Sequence, residues 1–205
     1  LQLGDIPPNL KITDSTSIFR FTEETARLSR FAPLEIFLNP ETRAIARKAY
    51  DSAVEGSGIY TLEHFGPDAI PFDLVIPGKG RGTIAVGARG ITLHTPEEVS
   101  IRTQAPVEDP VELARVFADK FGEDTALIGK AVILIPMLAR EFILVFHEGA
   151  SSYTENTHQF TEALEEIGMP QAKTILVRTD TSFRGDQNPG TSISSMHLDF
   201  NRLCQ

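Results

Sequence analysis

The stretch GKGRGTIAVGARGITLH, residues 78–94, decides the expected fold of the first half of the chain. The runs TIAV (83–86) and ITLH (91–94) alternate between apolar and polar residues on either side of a glycine-bearing turn, GARG (87–90). A period of two is typical of half-buried strands, and two such runs joined by a short turn with glycine indicate a β-hairpin. The sequence therefore predicts a hairpin here.

The flanking segments of the first half supply the other elements. A helix is predicted after Asn39, because Asn39 can cap it, Pro40 fits the first helical position and Gly56 can end it. The other patterns are FTEETARLSRF (21–31), predicted as a short helix, and LEIFL (34–38), GIYTLEHF (58–65) and IPFDLVIPG (70–78), predicted as strands.

The second half reads as alternating helices and strands. The predicted elements are a helix from Pro110 to Gly122 capped by Asp109, a helix over 124–135 that bends or stops near Pro136, a strand over 141–147, a helix over about 152–167 and a strand over 173–180. A strand, a helix and a strand joined by short loops form a βαβ unit, whose two strands are expected to be parallel neighbours.

These elements predict an α/β protein with a mixed α+β first half. The expected sheet is mixed, contains a hairpin and ends in the parallel βαβ unit. The predicted portions are 1–108, with the basic glycine-rich loop, and 109–205, with the βαβ unit; one continuous domain is the alternative. The chain lacks an initiator methionine and stops abruptly at FNRLCQ, so it is expected to be a fragment whose partner is the remainder of a longer chain.

Composition limits the classes of ligand. With 19 Lys and Arg against 28 Asp and Glu, the formal net charge is −9, which repels nucleic acid and anionic membranes. No apolar run reaches the roughly 18 residues of a membrane-spanning helix. The single cysteine, Cys204, fits a reducing compartment, so a cytoplasmic protein is expected. An anion site in such a chain requires a local basic cluster.

The first candidate ligand site is the loop PGKGRG. It lacks the order of a P-loop and no helix follows it, so neither standard phosphate-binding motif is present. Glycine still lets backbone amides approach an anion, and lysine and arginine add charge. The predicted ligand-binding residues are Gly78, Lys79, Gly80 and Arg81, with Arg89 if the second turn folds back. The alternative is a solvated turn that needs glycine for its geometry.

The second candidate site lies where the two predicted parallel strands end. Equivalent ends of parallel strands meet at one sheet edge, where ligands of open α/β sheets gather. The predicted catalytic residues are His147, Glu148 and Asp180, and the predicted ligand-binding residues are Ser151, Ser152 and Arg178. A histidine among carboxylates can transfer protons or hold a divalent metal. The alternatives are a helix cap at Ser152 and a structural salt-bridge cluster.

The other histidines and the common catalytic motifs do not indicate a further site. The chain has no HExxH or GxSxG motif, and its cysteine is next to the last residue. His64, His94, His158 and His197 are scattered, and each is interpreted as a surface histidine or one with satisfied hydrogen bonds.

The stretch IPFDLVIPGKGRGTIAVGARGITLHTPEEVSIR (70–102) resembles the amino-terminal lobe of phosphoenolpyruvate carboxykinase-like proteins, in particular uncharacterised bacterial relatives. In that family a basic loop of this lobe holds a carboxylate substrate, and a second lobe binds nucleotide and metal. The family's P-loop is absent here. The resemblance therefore implies a lyase or transferase lobe without its nucleotide site, which would not catalyse alone.

Two functions follow from these observations. The first is a domain or enzyme lobe that binds a small phosphorylated or carboxylated metabolite, based on basic loops in an acidic chain. The second is a non-catalytic ligand-sensing or structural module of a larger protein, based on the absence of a complete catalytic motif.

Overall fold

The computed structural model describes residues 13–142 and 151–166. These residues lie in one compact unit that spans Leu1–Thr174. A five-stranded sheet forms one layer, and α-helices pack against one of its faces. The contact between the two layers includes Phe37 of the helices and Phe72 of the sheet, whose ring centroids are 5.9 Å apart.

The sheet is antiparallel throughout the described residues. Its strands are β1 (Ala69–Ile76), β2 (Gly80–Gly87), β3 (Gly90–His94), β4 (Val99–Arg102) and β5 (Ala126–Gly129). They lie in the order β4-β3-β2-β1-β5. The hairpin predicted around GARG is confirmed, with β2 and β3 paired from Gly87 and Gly90 back to Thr83 and His94. The strand predicted over 70–78 is confirmed as β1.

A tight turn joins β1 to β2. The Lys79 N–H donates to the Ile76 carbonyl at 3.0 Å, which places Pro77 and Gly78 at the two central positions. Proline suits the first central position, and the φ of 73° at Gly78 suits the second position of a type II turn. The turn pairs Ile76 with Gly80, and the same register continues to the pair of Asp73 with Thr83, beyond which it shifts before Ala69. The stretch GKGRG is therefore the mouth of a β-hairpin.

Six α-helices occur in the part of the chain that the structure describes. They are α1 (Ser15–Ile18), α2 (Ala32–Leu38), α3 (Pro40–Val54), α4 (Pro110–Phe121), α5 (Ala131–Ala139) and α6 (Ser151–Glu166). The predictions of α3, α4 and α6 are confirmed. The caps are those read from the sequence: the Asn39 side chain accepts from the Glu41 N–H, and the Asp109 side chain accepts from the Val111 and Glu112 N–H groups.

Two strand predictions of the first half were wrong. LEIFL lies in α2, because Pro33 opens a helix there and Leu34, Phe37 and Leu38 are buried at helical spacing. Residues 58–65 form no strand. They end in a short 3₁₀ turn, Glu63–Phe65. Residues 21–31 form two 3₁₀ turns, Thr25–Arg27 and Ser29–Phe31, instead of the predicted short helix.

The helix predicted over 124–135 is also wrong in part. Residues Ala126–Gly129 form β5, which pairs with β1, and the helix begins only at Ala131. Pro136 lies inside α5 and removes the N–H that would bond to the Val132 carbonyl. The buried Thr157 hydroxyl of α6 lies 3.2 Å from that carbonyl and 2.8 Å from the Tyr153 carbonyl. Thr157 therefore offers the Val132 carbonyl a partner in place of the missing N–H.

The parallel βαβ ending is not supported, because every pair in the sheet is antiparallel. Of the first predicted strand, residues 143–147 lie outside the described residues, and all of the second strand, 173–180, does too. The pairing of β5 with β1 carries the sheet across the portion boundary predicted between residues 108 and 109. That boundary stays a prediction.

Candidate functional site

A row of polar side chains crosses the sheet on the face opposite the main hydrophobic core. In β1 the side chains of Phe72 and Leu74 are buried in the core, so Asp73 between them belongs to the other face. Asp73 pairs with Thr83 of β2, and Thr83 pairs with His94 of β3. The row therefore runs Asp73, Thr83, His94 across three neighbouring strands.

Asp73 is the acceptor at the centre of a four-residue cluster. One carboxylate oxygen, Oδ1, accepts from the Thr83 hydroxyl at 2.9 Å and from Lys130 Nζ at 2.8 Å. The other, Oδ2, accepts from Arg81 Nε at 2.7 Å. Lys130 Nζ also donates to the Thr83 hydroxyl at 2.9 Å. We call Asp73, Arg81, Thr83 and Lys130 the Asp73 cluster.

Burial changes from one end of the cluster to the other. The side chains of Asp73 and Lys130 are 8% and 15% exposed, whereas that of Arg81 is 53% exposed. Burial alone raises the pKa of Asp73, but the hydrogen bond and charge of Lys130, the charge of Arg81 and the Thr83 hydroxyl lower it below its ordinary value. Asp73 is thus a carboxylate near neutral pH, and Arg81 is the solvent-facing end of the cluster.

The β5–α5 junction positions Lys130. Its N–H donates to the Pro71 carbonyl at 2.8 Å, and its own carbonyl accepts from Ile133 and Leu134 in the first turn of α5. Lys130 therefore joins a strand end to a helix start, with its backbone held on both sides. This fixed backbone directs the side chain to the same sheet face as Asp73, where the two side chains form an ion pair.

Aromatic side chains cover the buried end of the cluster. Lys130 Nζ lies 4.7 Å from the centroid of the Phe65 ring, a cation–π contact. The Phe65 ring is 5.0 Å from the His64 ring and 6.4 Å from the His94 ring. Tyr60 stacks on His64 at 4.6 Å and is 65% exposed. The turn that carries Phe65 therefore shields Lys130 from water.

His94 ends the polar row with one nitrogen unpartnered. Its Nδ1 lies 3.7 Å from Glu98 Oε2. Its Nε2 is buried and has no hydrogen-bond partner within the described residues. The interpretation of His94 as a surface or satisfied histidine is therefore wrong for this nitrogen.

The structure separates the residues of the first predicted site. Arg81 enters the Asp73 cluster, but Lys79 Nζ lies 5.7 Å from the Phe121 ring of α4. Gly78 forms the turn and Gly80 begins β2 with a φ of 100°. Arg89 is exposed in the turn at the other end of β2, and the eight residues of that strand span roughly 26 Å. Arg89 therefore does not join Lys79 and Arg81.

The second predicted site falls mostly where the structure gives no description. His147, Glu148, Arg178 and Asp180 lie outside the described residues, and so does the divalent metal site predicted from them. Ser151 and Ser152 are the first two residues of α6, and their side chains are not described. Their roles stay predictions.

Sequence reasoning missed three of the four cluster residues. A signal for two of them was present: a turn that pairs Ile76 with Gly80 also pairs Asp73 with Thr83, and an aspartate in the middle of the apolar run IPFDLVI needs a partner. Lys130 had no such signal, since it is 57 residues from Asp73 and meets it only through the pairing of β1 with β5.

Two open grooves lie away from the cluster. One, of about 460 Å³, runs along the outer side of α3 beside Thr61 and Glu63. The other, of about 350 Å³, lies beside Pro77 and Asp124. Neither is lined by a residue of the Asp73 cluster.

No family model, curated protein or solved structure matches this chain. The resemblance to carboxykinase-like proteins therefore stays a prediction. Within residues 13–142 and 151–166, no three His, Cys, Asp or Glu side chains gather as metal ligands would. In the same residues, no helix has the length and apolar character needed to cross a membrane.

Proposed function

We propose that this domain binds a small phosphorylated or carboxylated metabolite at the Arg81 end of the Asp73 cluster. The supporting observation is an excess of positive charge at one place in an acidic chain. Asp73 carries one negative charge and has two cationic partners, Arg81 and Lys130. One positive charge of the cluster is therefore left for an anion, although the chain as a whole has a net charge of −9.

Arg81 is suited to make the contact. Only its Nε is used by Asp73, and its terminal guanidinium nitrogens have no partner within the described part of the chain. A guanidinium donates two parallel hydrogen bonds to a carboxylate or a phosphate. Asp73 fixes the orientation of the guanidinium before a ligand arrives, which lowers the entropy cost of binding.

The second candidate is a non-catalytic ligand-sensing or structural module. One observation favours a structural role: the four cluster residues hydrogen-bond to one another, and such networks also hold folds in a unique arrangement. We retain the metabolite site as the proposal because a purely structural pair would need only Lys130. A cytoplasmic location is part of the same proposal.

Isothermal titration calorimetry with inorganic phosphate and with a dicarboxylate tests the proposal. Whichever of the two ligands binds, Arg81→Gln should lower its affinity about tenfold or more. The reason is that a hydrogen bond to a charged group is worth about 1.5–3 kcal/mol. Arg89→Gln is the matched control, since Arg89 is an exposed arginine in the other turn of β2. It should leave the affinity unchanged.

Equal affinities for the two variants would contradict the proposal. An unmodified protein that gives no binding heat with phosphate and none with the dicarboxylate would also contradict it. The melting temperature of each variant is measured as well, to exclude unfolding as the cause of any loss of binding.

A further inference from the structure

We infer that His94 is a hydrogen-bonding residue of this anion site and that Glu98 positions it. The inference rests on the proposed function, because it adds a second side chain to the binding site at Arg81. His94 and Glu98 are both described, and neither belongs to the sites predicted from the sequence.

The sheet register places His94 beside the cluster. His94 is the direct cross-strand partner of Thr83, which is itself bonded to Asp73 and Lys130. Arg81 precedes Thr83 by two residues, so Arg81 and His94 are diagonal neighbours on one face, with Cα atoms about 7–8 Å apart. We place the anion between these two side chains.

The unpartnered nitrogen of His94 is free to form a hydrogen bond with a ligand. Buried polar atoms in folded proteins nearly always have a partner, and an exception indicates a water, an ion or a functional role. The buried Nε2 of His94 has no partner in the described structure, whereas the Thr83 hydroxyl next to it donates to Asp73 and accepts from Lys130. An anion oxygen held by Arg81 would give Nε2 an acceptor.

Glu98 sets which nitrogen is available. The pairing of β3 with β4 ends at Leu93 and Val99, so His94 and Glu98 come next in the same register. Glu98 Oε2 lies 3.7 Å from Nδ1, so the carboxylate faces one nitrogen and leaves Nε2 for the ligand. The charged groups around it are Glu98 on the β4 side, and Asp73, Arg81 and Lys130 of the cluster.

Two variants test the inference with inorganic phosphate as the probe. His94→Phe keeps a planar ring against Phe65 and removes both nitrogens, and it should weaken phosphate binding about tenfold. His158→Phe is the matched control, because His158 pairs with Glu162 at 3.1 Å in the same i, i+4 relation but is an exposed residue of α6. It should not change the affinity.

Nitrogen-15 NMR of the unmodified protein provides a second measurement that does not depend on a variant folding. Saturation with phosphate should move the Nε2 signal of His94 and leave the nitrogen signals of His158 unmoved. Phosphate binding that needs Arg81 but moves neither nitrogen of His94 would overturn this inference and leave the proposed function standing. An unmodified protein that binds neither phosphate nor the dicarboxylate would overturn both.

Discussion

At the scale of single residues, Asp73 is a nearly buried charge whose partners come from β2 and from the β5–α5 junction. Arg81 and Thr83 lie on either side of Gly82, the β2 residue that pairs with Leu74 of β1. Lys130 reaches Asp73 from the end of β5. Breaking a buried ion pair from one side leaves the other charge without compensation, which costs more than the intact pair contributes. Asp73 should therefore matter more for stability than a surface carboxylate does.

We expect Asp73→Asn to lower the free energy of unfolding at neutral pH by about 3 kcal/mol, because Lys130 is left buried without its counter-charge. The pKa of Asp73 in the folded protein lies below the ordinary value of 3.8. Its contribution is therefore present above pH 3.8 and is lost as the pH falls through the folded-state pKa. Urea denaturation of both proteins between pH 7 and pH 2 measures the difference.

The difference between the two proteins should shrink towards the acid end of that range. A difference that stays constant with pH would show that the carboxylate charge is not what stabilises the fold. Asp124→Asn is the control, since Asp124 pairs with Arg20 at the surface with its side chain 79% exposed. Exposed pairs contribute little, so this variant should change the unfolding free energy by less than about 1 kcal/mol.

At the scale of elements, α5 continues through Pro136 and packs against α6. Thr157 of α6 lies within hydrogen-bonding distance of the Val132 carbonyl, which Pro136 leaves without its helical donor. The helix beginning at Ala131 follows directly on β5 and on Lys130, so this contact also supports the position of the cluster lysine.

Thr157→Val should therefore destabilise the protein by about 1–2 kcal/mol, because a buried carbonyl loses a donor while the side-chain volume is kept. Thr161→Val is the matched control on the same helix. Among the described residues, the Thr161 hydroxyl bonds to carbonyls of its own helix, at Thr157 and His158. Urea unfolding of both variants measures the difference, and equal losses would show that the Val132 carbonyl does not depend on Thr157.

Elements with local signals could be predicted from the sequence, and elements defined by distant pairing could not. Caps and turn residues lie within a few positions of the structure that they specify, which is why α3, α4 and the β2–β3 hairpin were found. LEIFL is too short for its apolar period to separate a strand from a helix. β5 was read as helix because only its pairing with β1 makes it a strand.

At the scale of the whole molecule, the Asp73 cluster is a local excess of positive charge on the sheet face of an acidic protein. A net charge of −9 repels anions at long range, so the Asp73 cluster must hold its ligand by short contacts. Binding should therefore depend on Arg81 and His94 more than on the other basic residues of the chain.

The backbone amide spectrum of the isotope-labelled protein, recorded during a titration with inorganic phosphate, tests where the anion binds. We expect the saturable shifts to concentrate at Arg81, Thr83, His94 and Lys130, with Arg89 unmoved at the far end of β2. Saturable shifts that leave these four residues unchanged and appear instead at the start of α6, around Ser151 and Ser152, would contradict the assignment of the Asp73 cluster as the anion site.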